Sequence, residues 1–227
     1  MGSSTFDHCV LNWKLPSLVL AFVFVQCSSR GQSKPVPSTQ DLNVKDCITR
    51  DIPKFFQGEK WRKNYRANIA ALNVQSLTNG FDSLQIRFWI DRGYQKDDSS
   101  RLLVISKDSF HSFESLYTYT SSYDSADGTI IRTTGTFTSL RPKKNWDSLI
   151  DTLMSMGVTT LRDFSTIKAY NLDTHPYGVM VEIASKSTYK IYDYLDYKLH
   201  ANSIPEAKRM LDIMKFLERE FDVRLVY

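Results

Sequence analysis

Four short segments in the middle of the chain have the composition and spacing of β-strands, and they constrain the fold more than any other feature. In residues 84–90, apolar side chains alternate with mostly polar ones, which is typical of a half-buried strand. Residues 101–106, 113–120 and 128–139 are rich in β-branched and aromatic side chains. The pair Asp127-Gly128 favours a tight hairpin turn before the last of them. Because the links are short, the four segments predict an antiparallel meander.

Three further segments predict helices around this meander. From Glu59 onward, large side chains recur every three or four residues, which places them on one helical face, namely Trp61, Tyr65, Ile69 and Leu72. Asn145 is the predicted N-cap of a second helix. Ser203 and Glu206 form a predicted capping box that opens a third helix.

The order of these elements predicts the fold class. Residues 177–183 and 189–194 read as two more strands between the second and third helices, and residues 223–227 could add a short edge strand. Because strands and helices are segregated along the chain, we expect an α+β fold. The expected architecture is a mainly antiparallel sheet of about six strands with two to three helices packed on one face.

The N-terminal segment predicts export. Residues 15–25 are uncharged and mostly Leu, Val, Phe and Ala. At about 1.5 Å per helical residue, this run covers roughly half of a ~30 Å hydrocarbon core, which is the length of a signal-peptide core. Polar and Pro-containing residues follow it. We therefore expect a signal peptide at 1–27, a flexible tether at 28–45 and a single α+β domain at 46–227.

The site of cleavage has two interpretations, and both involve Cys27. Val25 and Cys27 suit the small-residue positions before a cut, which would release a soluble chain that starts at Ser28. Alternatively, the run from Phe24 to Cys27 resembles a bacterial lipobox, in which Cys27 is lipidated and becomes the mature N-terminus. The Ser-rich tether after Cys27 favours the lipoprotein, with a membrane anchor at the periplasm or cell surface.

Neither the composition nor the spacing of the histidines indicates a nucleic-acid partner, a metal or a cofactor. The net charge of +4 is too small to indicate a nucleic-acid partner. Lipidation of Cys27 would leave Cys47 as a single thiol, so no disulfide framework is expected. His111, His175 and His200 are scattered along the chain without the spacing of a metal site. We therefore predict no metal and no cofactor.

The sequence also lacks the standard catalytic motifs. It contains no C-x-x-C, H-E-x-x-H, Walker loop, G-x-G-x-x-G or G-x-S-x-G. Asp91, Asp97 and Asp98 lie in a predicted loop, but no second carboxylate is placed to form a catalytic pair with them. No catalytic residue is therefore predicted, and a non-enzymatic role is favoured.

The first predicted helix carries a basic face that could bind a partner. Lys60, Arg62, Lys63 and Arg66 lie on the side away from the aromatic residues. Clustered Lys and Arg side chains near a membrane surface contribute about 1 kcal/mol each, so these four could contact anionic headgroups or another polyanion. The alternative is an ordinary amphipathic helix with a solvated basic face, and this alternative is the commoner one.

Tyrosines are concentrated in the last predicted hairpin. Tyr189, Tyr192 and Tyr194 could form an exposed row, which would suit a binding surface because tyrosine offers rigid contact area and a hydrogen-bonding group. The alternative is that these rings stabilise the sheet as aromatic pairs.

Loose motifs across the domain resemble a group of exported bacterial proteins. They are Ile86-Arg87-Phe88-Trp89, Trp146-Asp147-Ser148-Leu149, Tyr189-x-x-Tyr192-x-Tyr194 and Glu206-Ala207-Lys208. In this pattern the chain resembles uncharacterised exported proteins of Bacteroidetes-type bacteria. The resemblance implies an envelope location and implies no biochemical activity.

Three functional hypotheses remain. The favoured one is a non-enzymatic envelope protein, tethered through a lipidated Cys27, whose domain binds a partner protein or an envelope component. The second is a soluble periplasmic or secreted enzyme of unrecognised type. The third is an immunity- or inhibitor-like module, since such proteins also lack motifs.

The export hypothesis predicts the mature N-terminus. Intact-mass measurement of the protein from its native host is expected to give a chain that begins at Cys27 and carries acyl mass. The Cys27→Ser variant is expected to lose that acyl mass. An unmodified chain that starts at Ser28 would contradict lipidation, and an intact Met1 would contradict export.

Overall fold

A mainly antiparallel sheet is the centre of the fold. The computed structural model describes residues 48–91, 99–107, 112–171 and 177–225, and in these ranges the sheet has seven strands. They are β1 (Thr49–Asp51), β2 (Leu84–Asp91), β3 (Ser100–Lys107), β4 (Ser112–Tyr123), β5 (Ile130–Ser139), β6 (Gly178–Ser185) and β7 (Thr188–Leu195). The predicted leader, the tether, Cys27, Cys47, His111 and His175 lie outside the described residues.

The strand order is β1-β7-β6-β2-β3-β4-β5. The predicted meander is confirmed as β2-β3-β4-β5, and the late hairpin β6-β7 adds to its β2 side, where Phe88 faces Val181. The α+β class is confirmed, but the described sheet has seven strands instead of about six. The additional strand is β1, which pairs in parallel with β7. It has three residues, which is too few for a periodic pattern.

Four helices accompany the sheet in the described part of the chain. They are α1 (Glu59–Ala71), α2 (Trp146–Ser155), α3 (Tyr197–His200) and α4 (Pro205–Phe221), and a short 3₁₀ helix at Lys54–Gln57 precedes α1. Asn145 caps α2 as predicted, because its side chain accepts a hydrogen bond from the backbone N–H of Ser148. None of these helices combines the length and the apolar character needed to cross a bilayer.

The helices cover both faces of the sheet, so the prediction of helices on one face is wrong. On one face, α2 and α4 bury Leu149 and Met214 against Phe88 and its neighbours. On the other face, Tyr65 of α1 packs with Trp89. The second layer forms because β2 and β3 carry large apolar side chains on both faces, and each face needs its own cover.

The predicted capping box of the last helix is also wrong. The N-cap of α4 is Ile204, which makes no side-chain capping bond, and Pro205 opens the helix. The hydroxyl of Ser203 instead donates to the carbonyl of His200, because the unpredicted helix α3 ends there. Residues 223–225 form no strand, so the expected edge strand is not seen in its described part.

Two asparagines and one glycine position α1 on the β4-β5 hairpin. Asn64 donates to the carbonyl of Gly128 at 3.1 Å and accepts from the backbone N–H of Ile130 at 2.9 Å. Asn68 accepts from the hydroxyl of Thr133 at 2.7 Å. Beneath the helix, Gly135 lets α1 approach the strand closely, because an added Cβ would lie 3.0 Å from Leu72 Cδ2 and 2.8 Å from the Cβ of Tyr119.

This close approach predicts the effect of a larger side chain at Gly135. The Gly135→Val variant is expected to lower the free energy of unfolding by about 1–3 kcal/mol, because α1 must move away from β5. Chemical denaturation followed by circular dichroism measures the change. Thr136→Val on the exposed neighbouring position is the control and should change stability by less than about 0.5 kcal/mol. Equal stability of the two variants would contradict the close packing of α1 against Gly135.

Candidate binding pocket between helix α1 and the sheet

A fully buried carboxylate, that of Glu182 on β6, lies beneath α1. Its side chain is 0% exposed. Oε1 accepts hydrogen bonds from the hydroxyl of Tyr65 at 2.6 Å and from the hydroxyl of Tyr189 at 2.8 Å. Oε2 accepts from the indole N–H of Trp89 at 2.6 Å. Donors from one helix, α1, and from two strands, β2 and β7, therefore converge on a single carboxylate of β6.

The positive partner of this carboxylate is Arg87 on β2. Its Nη1 lies 4.0 Å from Oε2 of Glu182, and both side chains are buried. The guanidinium also donates to Oε1 of Gln85 at 2.7 Å and to the carbonyl of Gln75 at 2.6 Å. Gln85 donates in turn to Ser106 at 2.9 Å. Because Gln75 belongs to the link between α1 and β2, the network holds that link as well as the helix.

Burial and the neighbouring charge explain the electrostatics of the two tyrosines. Desolvation raises the pKa of Tyr65 well above its usual range, and the negative charge of Glu182 raises it further. Desolvation and the same carboxylate raise the pKa of Tyr189. Both hydroxyls therefore stay protonated and remain donors to Glu182 at any physiological pH.

A continuous series of aromatic rings runs from this network to the protein surface. Trp61 stacks on Tyr65 with ring centroids 4.8 Å apart, and Phe56 meets Trp61 edge-on at 5.0 Å. Trp89 lies 6.0 Å from Tyr65 and 6.2 Å from Tyr119. These distances fall within the range of favourable aromatic pairs, so the rings hold one another in place.

The rings line a cavity of about 250 Å³ between α1 and the sheet. Its aromatic lining consists of Phe55, Phe56, Trp61, Tyr65, Trp89, Tyr119 and Tyr123. Asn64, Asn68 and Asp193 add polar groups to the lining, and Met180 adds an apolar one. Concave sites that combine apolar rings with polar groups are common places for small molecules to bind.

Most of the polar groups in this lining are already hydrogen-bonded within the protein. Both ends of the Asn64 amide bond the β4-β5 hairpin, and the oxygen of Asn68 accepts from two hydroxyls. Tyr65 and Trp89 donate to Glu182. Ser100 and Asp193 in the lining also interact with other groups of the protein, so the cavity surface combines aromatic rings with polar groups that are mostly engaged.

The predicted basic surface lies beside this cavity. Lys60, Arg62, Lys63 and Arg66 are all exposed on α1, and none of the ion pairs among the described residues includes them. Lys60 extends over the hairpin turn, since a Cβ added at Gly128 would lie 2.6 Å from its Nζ. Lys60 and Lys63 therefore bring positive charge to the side of the pocket bounded by this hairpin.

The expectation of an exposed tyrosine row is wrong. Tyr189 is 2% exposed and contacts Glu182 on the α1 face, whereas Tyr192 and Tyr194 are fully buried on the opposite face. The hydroxyl of Tyr192 donates to the carbonyl of Val158 at 2.7 Å. Strand alternation divides the three rings between two layers, and helices cover both layers.

Sequence reasoning missed Glu182 and the aromatic cavity. The available signal was the charge itself, because Glu182 interrupts an otherwise apolar strand on which Val181 and Ile183 flank it. A carboxylate in a strand that is buried on both faces requires hydrogen-bond donors. Its donors come from segments far away in sequence, so the signal indicates a buried network without identifying its members.

Other titratable groups lie away from the pocket. Glu114 on β4 is buried opposite Ile105 on the face of α2 and α4, and burial raises the pKa of its carboxyl to about 7. The ring of His200 packs against Tyr170 at 4.4 Å. Among the described residues, no group of three or more His, Cys, Asp or Glu side chains is placed to hold a metal ion.

Comparison of the chain with known protein families, with curated proteins and with solved structures found no match.

The buried network predicts a large effect of neutralising Glu182. The Glu182→Gln variant is expected to lower the free energy of unfolding by about 3–5 kcal/mol, because it leaves the buried guanidinium of Arg87 without its counter-charge. Urea denaturation measures the loss. Glu59→Gln at the exposed start of α1 is the matched control and should cost less than about 1 kcal/mol. A loss at Glu182 no larger than at Glu59 would show that the buried pair does not stabilise the fold.

Proposed function

We propose that this protein is a non-enzymatic binding module that takes a small organic group into the aromatic cavity between α1 and the sheet. The single observation that carries this proposal is a cavity lined by aromatic rings that pack against one another. Rings of this size normally fill a core, and here they border a space of about 250 Å³.

The burial and hydrogen bonding of the Glu182 carboxylate, next to the pocket, favour a binding role over a catalytic one. A general acid or base must reach the substrate within hydrogen-bonding distance. Both oxygens of Glu182 instead accept hydrogen bonds from protein donors, and its side chain is fully buried. Glu182 therefore serves to hold the walls of the pocket.

We further propose that the domain works in the bacterial envelope, at the periplasm or the cell surface. The support is the apolar segment before Cys27 and the polar tether after it. A lipid on Cys27 would anchor the chain to a membrane, and the tether would let the domain reach a ligand or a partner at some distance from the bilayer.

A panel of four probes tests the binding function. Choline, indole, acetate and glucose, each at millimolar concentration, represent a cation, an aromatic molecule, an anion and a sugar. At least one of them is expected to shift the indole N–H resonance of Trp89 in a saturable NMR titration, because this ring lines the cavity.

The titration is repeated with two matched substitutions. Trp61→Ala removes one wall of the cavity and is expected to abolish the response. Trp146→Ala makes the same change on α2, on the other face of the sheet, and should leave the response unchanged. If none of the four probes gives a shift that depends on Trp61, the proposed binding function is overturned.

A further inference from the structure

Strand β5 lies at one edge of the sheet. It pairs with β4 on one side, and in the part of the chain that the structure describes no strand pairs with its other side. Every second residue of such an edge turns its backbone N–H and C=O groups outward, where another strand can bind them. An extended chain is therefore the partner whose chemistry fits this edge.

The side chains of β5 do little to prevent such pairing. Sheet edges are commonly protected by charged residues, by proline or by a very short strand. β5 has ten residues, among which Arg132 is the only charged one and none is proline. The strand at the opposite edge, β1, has three residues, and its Asp51 forms an ion pair with Lys190. Of the two edges of the described sheet, β5 is therefore the long and nearly uncharged one.

A bulge limits the part of β5 that can continue the sheet. Ser122 faces Arg132 and Tyr123 faces Ile130, so Ile131 is an extra residue in the ladder with β4. From Arg132 to the end of the strand the pairing with β4 is regular. The regular segment is mostly exposed, so a partner strand can reach it.

The covering helix ends partway along this segment. A Cβ added at Gly135 would lie 3.0 Å from Leu72 Cδ2, and Leu72 is the residue that directly follows α1. Phe137 comes two residues later on the same face of β5, past the end of the helix. It is 68% exposed, although its ring lies 6.0 Å from that of Tyr117. A large aromatic ring is therefore available at the edge, close to a glycine.

A second copy of β5 complements this edge in one antiparallel register. In an antiparallel pair, residues directly opposite each other point to the same face of the sheet. A two-fold axis at Thr136 places Phe137 of each copy opposite Gly135 of the other, where the ring covers the space left by the edge glycine. Thr134 then faces Thr138 of the other copy, and cross-strand threonine pairs can form hydrogen bonds.

The same register keeps positive charges apart. Because α1 ends beside Gly135, next to the axis, the α1 helices of the two copies extend away from the axis in opposite directions. Asn64 bonds the hairpin turn at the far end of the strand, so the nearby Lys60 and Lys63 lie away from the axis. Arg132 falls outside the paired residues. Like charges therefore do not meet across the interface.

We propose that β5 is a homodimer interface, in which residues 133–139 of two copies pair as antiparallel strands about an axis at Thr136 and continue the sheet from one copy into the other. The paired segment is shorter than the roughly 20–30 residues per side of a standard interface, so the dimer is weak, with a Kd of about 1–100 µM. This inference does not rest on the binding function proposed above.

Sedimentation equilibrium of the purified full chain tests the dimer. Over a series from about 1 to 300 µM, the average mass is expected to rise from that of one chain towards that of two, with a Kd in the range given above. A chain that stays monomeric throughout the series would overturn the inference.

A charge at the axis tests which surface is used. Thr136→Lys places two like charges directly opposite each other and is expected to raise the Kd at least about ten-fold. Thr120→Lys adds the same charge on the same face of the neighbouring strand β4 and is the matched control, which should leave the Kd nearly unchanged. Circular dichroism checks that both variants fold. A dimer that Thr136→Lys does not weaken more than the control forms through another surface, and the inference is overturned.

The contribution of Phe137 has a control of equal exposure. Phe137→Ala is expected to weaken the dimer about five-fold, because the ring no longer covers Gly135 of the other copy. Ile131 is also 68% exposed but lies at the bulge, outside the paired segment, so Ile131→Ala should change the Kd little. Equal effects of the two substitutions would indicate general hydrophobic association and would overturn the inference.

An isotope-filtered NOE spectrum tests the register. In an equal mixture of isotope-labelled and unlabelled chains, the ring protons of Phe137 are expected to contact the α protons of Gly135 in the other copy. Contacts between copies that exclude this pair would overturn the axis at Thr136.

Discussion

The buried carboxylate of Glu182 is the interaction on which the α1 side of the structure depends. An ionised carboxylate is very unfavourable away from water unless charge and hydrogen bonds compensate it. The compensation comes from Tyr65 on α1, Trp89 and Arg87 on β2, and Tyr189 on β7. Because these donors belong to different elements, the carboxylate is satisfied only when α1 lies on this face of the sheet. The same contacts orient the rings that form the pocket.

The two faces of the sheet therefore have different physical characters. The face covered by α2 and α4 is an apolar core with residues such as Phe88 and Leu153. It contributes to stability through the apolar surface area that it removes from water. The α1 face combines a buried ion pair, a hydrogen bond from the Asn64 side-chain amide to the β4-β5 hairpin, and a series of aromatic rings. The cavity lies on this second face, between α1 and the sheet.

The sequence predicted the main helices and strands, but it did not predict what covers each of their faces. The periodicity of α1 correctly placed Trp61 and Tyr65 on its inner side and Lys60 and Arg66 in solvent. It did not indicate that the inner side also forms a pocket. The tyrosines of β7 were misassigned because alternation along a strand tells which rings share a face, whereas exposure depends on the helices that cover that face. Tyr189 and Tyr192 lie on opposite faces of the sheet, and both are buried because both faces are covered.

The sequence by itself determined the α+β class, the meander of β2 to β5, the cap of α2 at Asn145 and the amphipathic character of α1, because these depend on local spacing and on neighbouring residues. Only the tertiary structure decided that helices cover both faces, that β1 joins β7, and that Glu182 gathers its donors into the wall of a pocket. The physical reason is sequence distance. Tyr65 and Glu182 are separated by 117 positions along the chain, and no local pattern records which distant donor a buried charge will bind.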